Sequence, residues 1–248
     1  MKALSGRKIK FTKANLSHFS DAQMTAFYVF PHILNKLKLL ETQIFSQWQT
    51  ATDSKRSQIE REAALLGAFE FILLLAGELK EGWEAIQSCY YGNKLSKTLN
   101  TKLRKDAQYA LKRLPSHFTK TSIALRLRND FSYHHSPDKV LSTTKILEKD
   151  DPHTAYLFKD DNNYFDYATK LRIASVAESL ELSDWRKVIE HLIFTVVKEV
   201  YQDMAIALNT ILGELMKTVS CGQEVVDLPN VPSDVELSGH FFFYVSKS

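Results

Sequence analysis

Apolar residues recur at three- and four-residue steps along most of this chain, the spacing that lines one face of a helix. From Ser20-Asp21, good helix-starting chemistry, Phe27, Phe30, Ile33, Leu34, Leu37, Leu40, Ile44, Phe45 and Trp48 keep that step. Pro31 lacks an amide proton, so the pattern predicts one long helix kinked there or two abutting ones. A second run, Ser54 to Tyr90, is apolar nearly all round in its middle, which suits a helix at the centre of a bundle. Gly92-Asn93 closes it. Leu95, Leu99, Leu103, Ala107, Ala110, Leu111 and Leu114 mark a third helix, expected to end at Leu114 because a residue before proline is pushed out of helical geometry. A fourth is predicted from Ser116 to about His135. Helix resumes from about Ala168 to Leu180, and from Ser183, a candidate cap, to about Thr218.

Two stretches break the helical pattern. Between Asp150 and Tyr167, His153-Thr154-Ala155-Tyr156-Leu157-Phe158 and Tyr164-Phe165 flank an acidic turn, which reads as a short hairpin-like insert. From Cys221 onward Pro229, Pro232 and a final Phe-rich stretch predict an extended segment packing back onto the helices or binding a partner. The expected architecture is therefore an all-α, up-down helical bundle with long helices. It divides into a basic arm over 1–19, a bundle domain over 20–220 and an extended tail over 221–248.

Composition supports this class. Eight glycines and six prolines in 248 residues leave little material for tight turns or Gly-rich phosphate loops. Cys89 and Cys221 stand far apart, so the sequence offers neither a metal knuckle nor a disulfide framework. The longest apolar stretch, Phe71 to Ala76, is far too short to span a membrane. A soluble protein of the cytoplasm, with no membrane partner and no cofactor, is the expectation.

Net charge is only +3, but its distribution is uneven. The arm carries Lys2, Arg7, Lys8, Lys10 and Lys13 with no acid, and reads as a loose basic segment. Between residues 94 and 128, ten cations face one acid, Asp106. Such a run is either a solvated helix face or the footprint of a phosphate-bearing partner, where neutralising phosphates releases counterions. Lys112, Arg113, Lys120 and Arg126 are the candidate nucleic-acid contacts.

That run leads into Arg128-Asn129-Asp130-Phe131-Ser132-Tyr133-His134, followed by His135-Ser136-Pro137. Arginine offers a planar fork of donors to phosphate oxygens, and histidine moves a proton near neutral pH. Cleaving RNA needs both: a base for the ribose 2′-hydroxyl and positive charge for the phosphorane as it forms. On a straight helix residues six apart diverge by roughly 120°, so the two side chains converge only if the helix deforms or a groove forms with another chain. The plainer alternatives are a surface ion pair for Arg128, a cap or core role for His134, and core or dimer packing for Phe131 and Tyr133. Adjacent His134 and His135 diverge on a helix and no H-E-x-x-H accompanies them, which argues against a metal site.

These residues resemble the R-x(4–6)-H signature of the HEPN superfamily, in which a polar residue such as Asn commonly follows the Arg, as Asn129 does here. The resemblance is carried by residues 116 to 140. It implies a helical bundle that forms a homodimer with two motifs facing each other, making a composite, metal-independent endoribonuclease site. It assigns His134 as the acid/base group, Arg128 as the phosphate and transition-state clamp and Asn129 as support for their geometry. It also implies a toxin or phage-defence (abortive-infection) role, with an antitoxin or regulatory partner. The insert and the Phe-rich tail are not part of that superfamily's minimal core. A module of another class, a non-catalytic helical protein that binds RNA, a nucleotide or a protein, fits the same charge pattern.

Overall fold

A computed structural model describes residues 5–129, 144–145, 155–156, 164–182, 184–219 and 222–227. Within them the chain is all-α. Strand β1 (Ser5–Lys10) and a short 3-10 turn (Lys13–Leu16) precede α1 (Asp21–Thr52). Helix α2 (Gln58–Ala85) runs on into a π-type segment, Ile86–Gly92, and is followed by α3 (Leu95–Leu99), α4 (Lys105–His117) and α5 (Ile123–Leu127). After a small hairpin of β2 (Ala155–Tyr156) and β3 (Tyr164–Phe165) come α6 (Asp166–Ser179) and α7 (Trp185–Leu192). A second π-type segment, Ile193–Tyr201, joins α7 to α8 (Gln202–Met216), and β4 (Gly222–Asp227) is the last described element.

Local chemistry explains the helix starts. At α1 the Ser20 hydroxyl accepts from the Gln23 amide at 3.3 Å while Gln23 Oε1 accepts from the Ser20 amide at 2.9 Å. Ser57 and Glu60 repeat this reciprocal cap at α2, and those hydrogen bonds hold the Glu60 carboxyl below its ordinary range. Helix α1 runs unbroken through Pro31: the missing amide forfeits one hydrogen bond, and the fully buried Phe30 and Leu37 on either side anchor the helix to the core.

Four expected boundaries are corrected. The expected single helix from Leu95 to Leu114 is two, because Leu103, 4% exposed, turns inward at the corner and Gln108 Nε2 donates to the carbonyls of Asn100 and Leu103 left there, both at 3.0 Å. The second piece also passes Pro115 and ends at His117, since proline in the last turn removes only one ladder bond. The next helix starts at Ser122 rather than Ser116: the Ser122 hydroxyl accepts from the Leu125 amide at 3.4 Å. Likewise the cap of α7 is Asp184, whose carboxylate accepts from the Arg186 amide at 2.8 Å.

The core confirms α2 as the central helix. Phe69, Ile72, Leu75, Ala76 and Leu79 are completely buried, and α1, α5, α6, α7 and α8 all pack on it. Gly82 marks a close crossing, where an added Cβ would lie 3.2 Å from Met204 Sδ on α8 and 3.3 Å from Ile33 Cγ2 on α1. An ion pair and a hydrogen bond brace the outer helices: Arg172 on α6 grips both oxygens of Glu70 on α2, at 2.7 and 2.8 Å, and the Tyr201 hydroxyl donates to Glu41 on α1 at 2.8 Å.

The arm expected to be loose is a paired strand. β1 lies antiparallel to β4, with Ser5 opposite Asp227 and Lys10 opposite Gly222, and Leu16 and Phe19 behind it are buried in the core. The part of the tail that is described thus pairs with the arm, and the Phe-rich stretch lies outside the described residues.

Tyr90 ends the core at the first π segment, fully buried with its hydroxyl lacking any hydrogen-bond partner. Burial, with a smaller contribution from Tyr91, raises its pKa above the ordinary tyrosine value. Tyr90→Phe is expected to stabilise the fold by about 1 kcal/mol in urea unfolding at neutral pH, because it removes an unsatisfied buried donor. The unfolded chain ionises this tyrosine near pH 10 and the folded chain only higher. Native stability therefore falls above about pH 10 in the parent, and the margin of the Phe variant widens there.

Candidate nucleic-acid interface and motif site

Helix α5 carries the start of the motif. Ala124 and Leu127, each 1% exposed, seat it on α2 and on the second π segment, and the helical turn continues through Arg128 and Asn129. Arg128 is half-buried. Its Nη1 donates to Asn129 Oδ1 at 3.0 Å, and its Nε is buried without a hydrogen-bond partner. No described carboxylate lies within ion-pairing distance of it, unlike Arg113 or Arg172. The structure thus brings two of the three expected catalytic residues into contact. His134 lies outside the described residues, as do Asp130, Phe131, Tyr133 and His135.

The four expected nucleic-acid contacts fare differently. Lys112 is exposed on α4, its Nζ 5.9 Å from the centre of the Tyr109 ring. Lys120 is exposed in the turn before α5, Arg126 is half-buried on α5, and neither has a described carboxylate partner. Arg113 is committed elsewhere. Its Nε donates to Asp203 Oδ2 at 2.9 Å and its Nη2 closes a fork onto Oδ1, a hydrogen bond that raises the guanidinium pKa above its ordinary value.

Asp203, which the sequence reading did not single out, is a carboxylate 4% exposed on α8. His117 Nε2, from the last turn of α4, reaches its Oδ2 at 3.0 Å. Both carboxylate oxygens are thereby engaged, so this Arg-His-Asp cluster clamps α4 to α8. A signal was present. Asp203 falls on the stripe Val196, Val200, Asp203, Ala207, spaced by four, three and four, and an acid on a buried helical face requires a cation. Among the described residues no three His, Cys, Asp or Glu side chains converge as a metal site, and no helix is long and apolar enough to cross a membrane.

No known protein family, curated protein or solved structure matches this chain.

Proposed function

We propose that the protein is a metal-independent RNA endonuclease, and the observation that carries this reading is the Arg128 guanidinium: half-buried, steadied by Asn129 and, among the described residues, without a counter-carboxylate. A cation withdrawn from water and left unpaired is well suited to an anion that arrives with the substrate. In this reading His134 takes the proton of a ribose 2′-hydroxyl, the oxygen attacks the adjacent phosphorus, and the P–O5′ bond breaks. The departing 5′-oxygen takes up a proton, leaving a 2′,3′-cyclic phosphate and a 5′-hydroxyl. Arg128 neutralises the charge that builds on the phosphorane, as a preorganised donor does for any developing oxyanion. Two motifs facing each other in a homodimer would complete the groove that six-residue spacing on one helix does not provide. A toxin or phage-defence role with a restraining antitoxin follows from the same resemblance.

The purified protein is expected to cut a single-stranded RNA in excess EDTA and to leave cyclic phosphate ends. His134→Ala is expected to slow cutting by about 10²- to 10⁴-fold, the usual contribution of a positioned acid/base group, with unchanged helicity. Loss of cutting in EDTA, or an His134→Ala rate equal to the parent, overturns the reading. A helical module that holds RNA without cutting it draws on the basic run alone. It predicts salt-sensitive binding with no turnover at any protein concentration.

A further inference from the structure

Helix α3 sits as a low ridge between two clefts. Its Leu95 and Leu99, one turn apart and each 5% exposed, pin one side into the core, so that the opposite side faces outward. The cleft on one flank, about 440 Å³, is lined by Lys94 and Lys102 together with Lys217, Glu214 and the capped start of α1. The cleft on the other flank, about 420 Å³, is lined by Lys97, Lys112, Asn100, Gln108 and Tyr91. Lys94, Lys97, Lys102 and Lys112 have no carboxylate partner among the described residues, whereas Lys36, Lys38, Lys80 and Lys217 each have one. In the first cleft Glu214 is taken by Lys217, which leaves Lys94 and Lys102 uncompensated there.

Two further features mark the ridge. Lys94 holds a left-handed backbone conformation, φ 62°, which a lysine adopts at a cost and which turns the chain from the π segment into α3. Exposed aromatic rings accompany the lysines: Tyr91, 42% exposed and braced edge-on by Trp83 and Tyr90, and Tyr109, 57% exposed beside Lys112. Cations that follow a backbone, interleaved with open aromatic faces, suit unpaired nucleotides; a duplex keeps its bases stacked and cannot use the rings.

We propose that a single strand of RNA crosses α3 as over a saddle, its phosphates held by Lys94 and Lys102 in one cleft and by Lys97 and Lys112 in the other, with a base stacked at Tyr109. This names the substrate class for the nuclease proposed above and rests on that reading. Helix α4 runs on from the saddle to the turn before α5, the helix after which Arg128 follows.

The test uses the full chain and a fluorescein-labelled 2′-O-methyl oligouridylate, which lacks the attacking hydroxyl and reports binding alone, followed by anisotropy over a range of salt. Lys94→Asn/Lys102→Ala and Lys97→Ala/Lys112→Ala are each expected to weaken binding at least tenfold and to flatten the slope of log K against log salt by about 1.4, two contacts at about 0.7 each. Tyr109→Ala is expected to weaken it about five- to tenfold with the slope unchanged. The control Lys55→Ala/Lys187→Ala, which removes the same charge from exposed sites outside both clefts, is expected to stay within about twofold. Equal losses in the control, tighter binding of a duplex, slope changes without any Tyr109 effect (the signature of an acidic protein partner), or no binding at all overturn the saddle. Cleavage of ordinary RNA is scored separately. Lysine-dependent binding without cleavage sinks the nuclease and keeps the saddle, and cleavage indifferent to the four lysines does the reverse.

Discussion

Arg128→Lys is expected to lower single-turnover RNA cleavage by about 10²- to 10³-fold, the loss typical of one oxyanion-stabilising donor, while the melting temperature stays where it was or rises slightly. Lysine keeps the charge but is a compact ammonium on a flexible stem, and cannot span two phosphate oxygens as a planar fork does. The stability half of this expectation comes from the burial of Arg128 Nε without a partner and the absence of a carboxylate beside it among the described residues. Removing the guanidinium therefore orphans no described acid and relieves one unsatisfied donor. A structural arginine behaves in the opposite way, with stability lost and rate spared. Parallel measurement of cleavage and thermal unfolding separates the two, and an Arg128→Ala variant that cuts like the parent would falsify the assigned role.

Arg113→Met is expected to show that opposite pattern, losing about 2–3 kcal/mol in urea unfolding. The basis is Asp203, 4% exposed, which would keep only His117 as a partner among the described residues. Taking one member from a buried pair costs about 3–5 kcal/mol, and the lower figure applies here because the Arg113 side chain is itself 57% exposed and partly screened by water. The double variant Arg113→Met/Asp203→Leu should recover most of the loss, since it leaves no buried charge at the α4–α8 contact. Lys112→Met, one residue away but exposed and without a described carboxylate partner, should change stability by less than about 0.5 kcal/mol. If Arg113→Met and Lys112→Met prove equally harmless, the clamp contributes nothing and Arg113 returns to the list of nucleic-acid contacts.

The contrast between neighbouring residues 112 and 113 shows where sequence reading reaches its limit. Periodicity placed α1, α2, α6 and the long run from α7 to α8 within a few residues, because burial of one face dominates helices of that length. It failed between residues 95 and 129, where α3 and α5 are five residues each. Helices that short have no register of their own; a tertiary contact such as that of Gln108 with the Asn100 and Leu103 carbonyls decides where they break. The candidate site divides in the same manner. Its basic character could be read as composition, but which cations are free and which are tied depends on what the fold sets opposite them, and Asp203 lies ninety positions from Arg113. The pairing of β1 with β4 was hidden for the same reason, being set by the bundle rather than by either strand.

That ladder also fixes an order of events. It joins Ser5 to Asp227, residues at opposite ends of the described chain, and a lone two-stranded ribbon is marginal in water. Its strands can meet only once the helices between them have closed the distance, so it is the last element to assemble and the first to let go. Native-state hydrogen exchange would accordingly resolve two cooperative units in this protein, a helical one that sets global stability and a ribbon that opens beneath it at lower free energy.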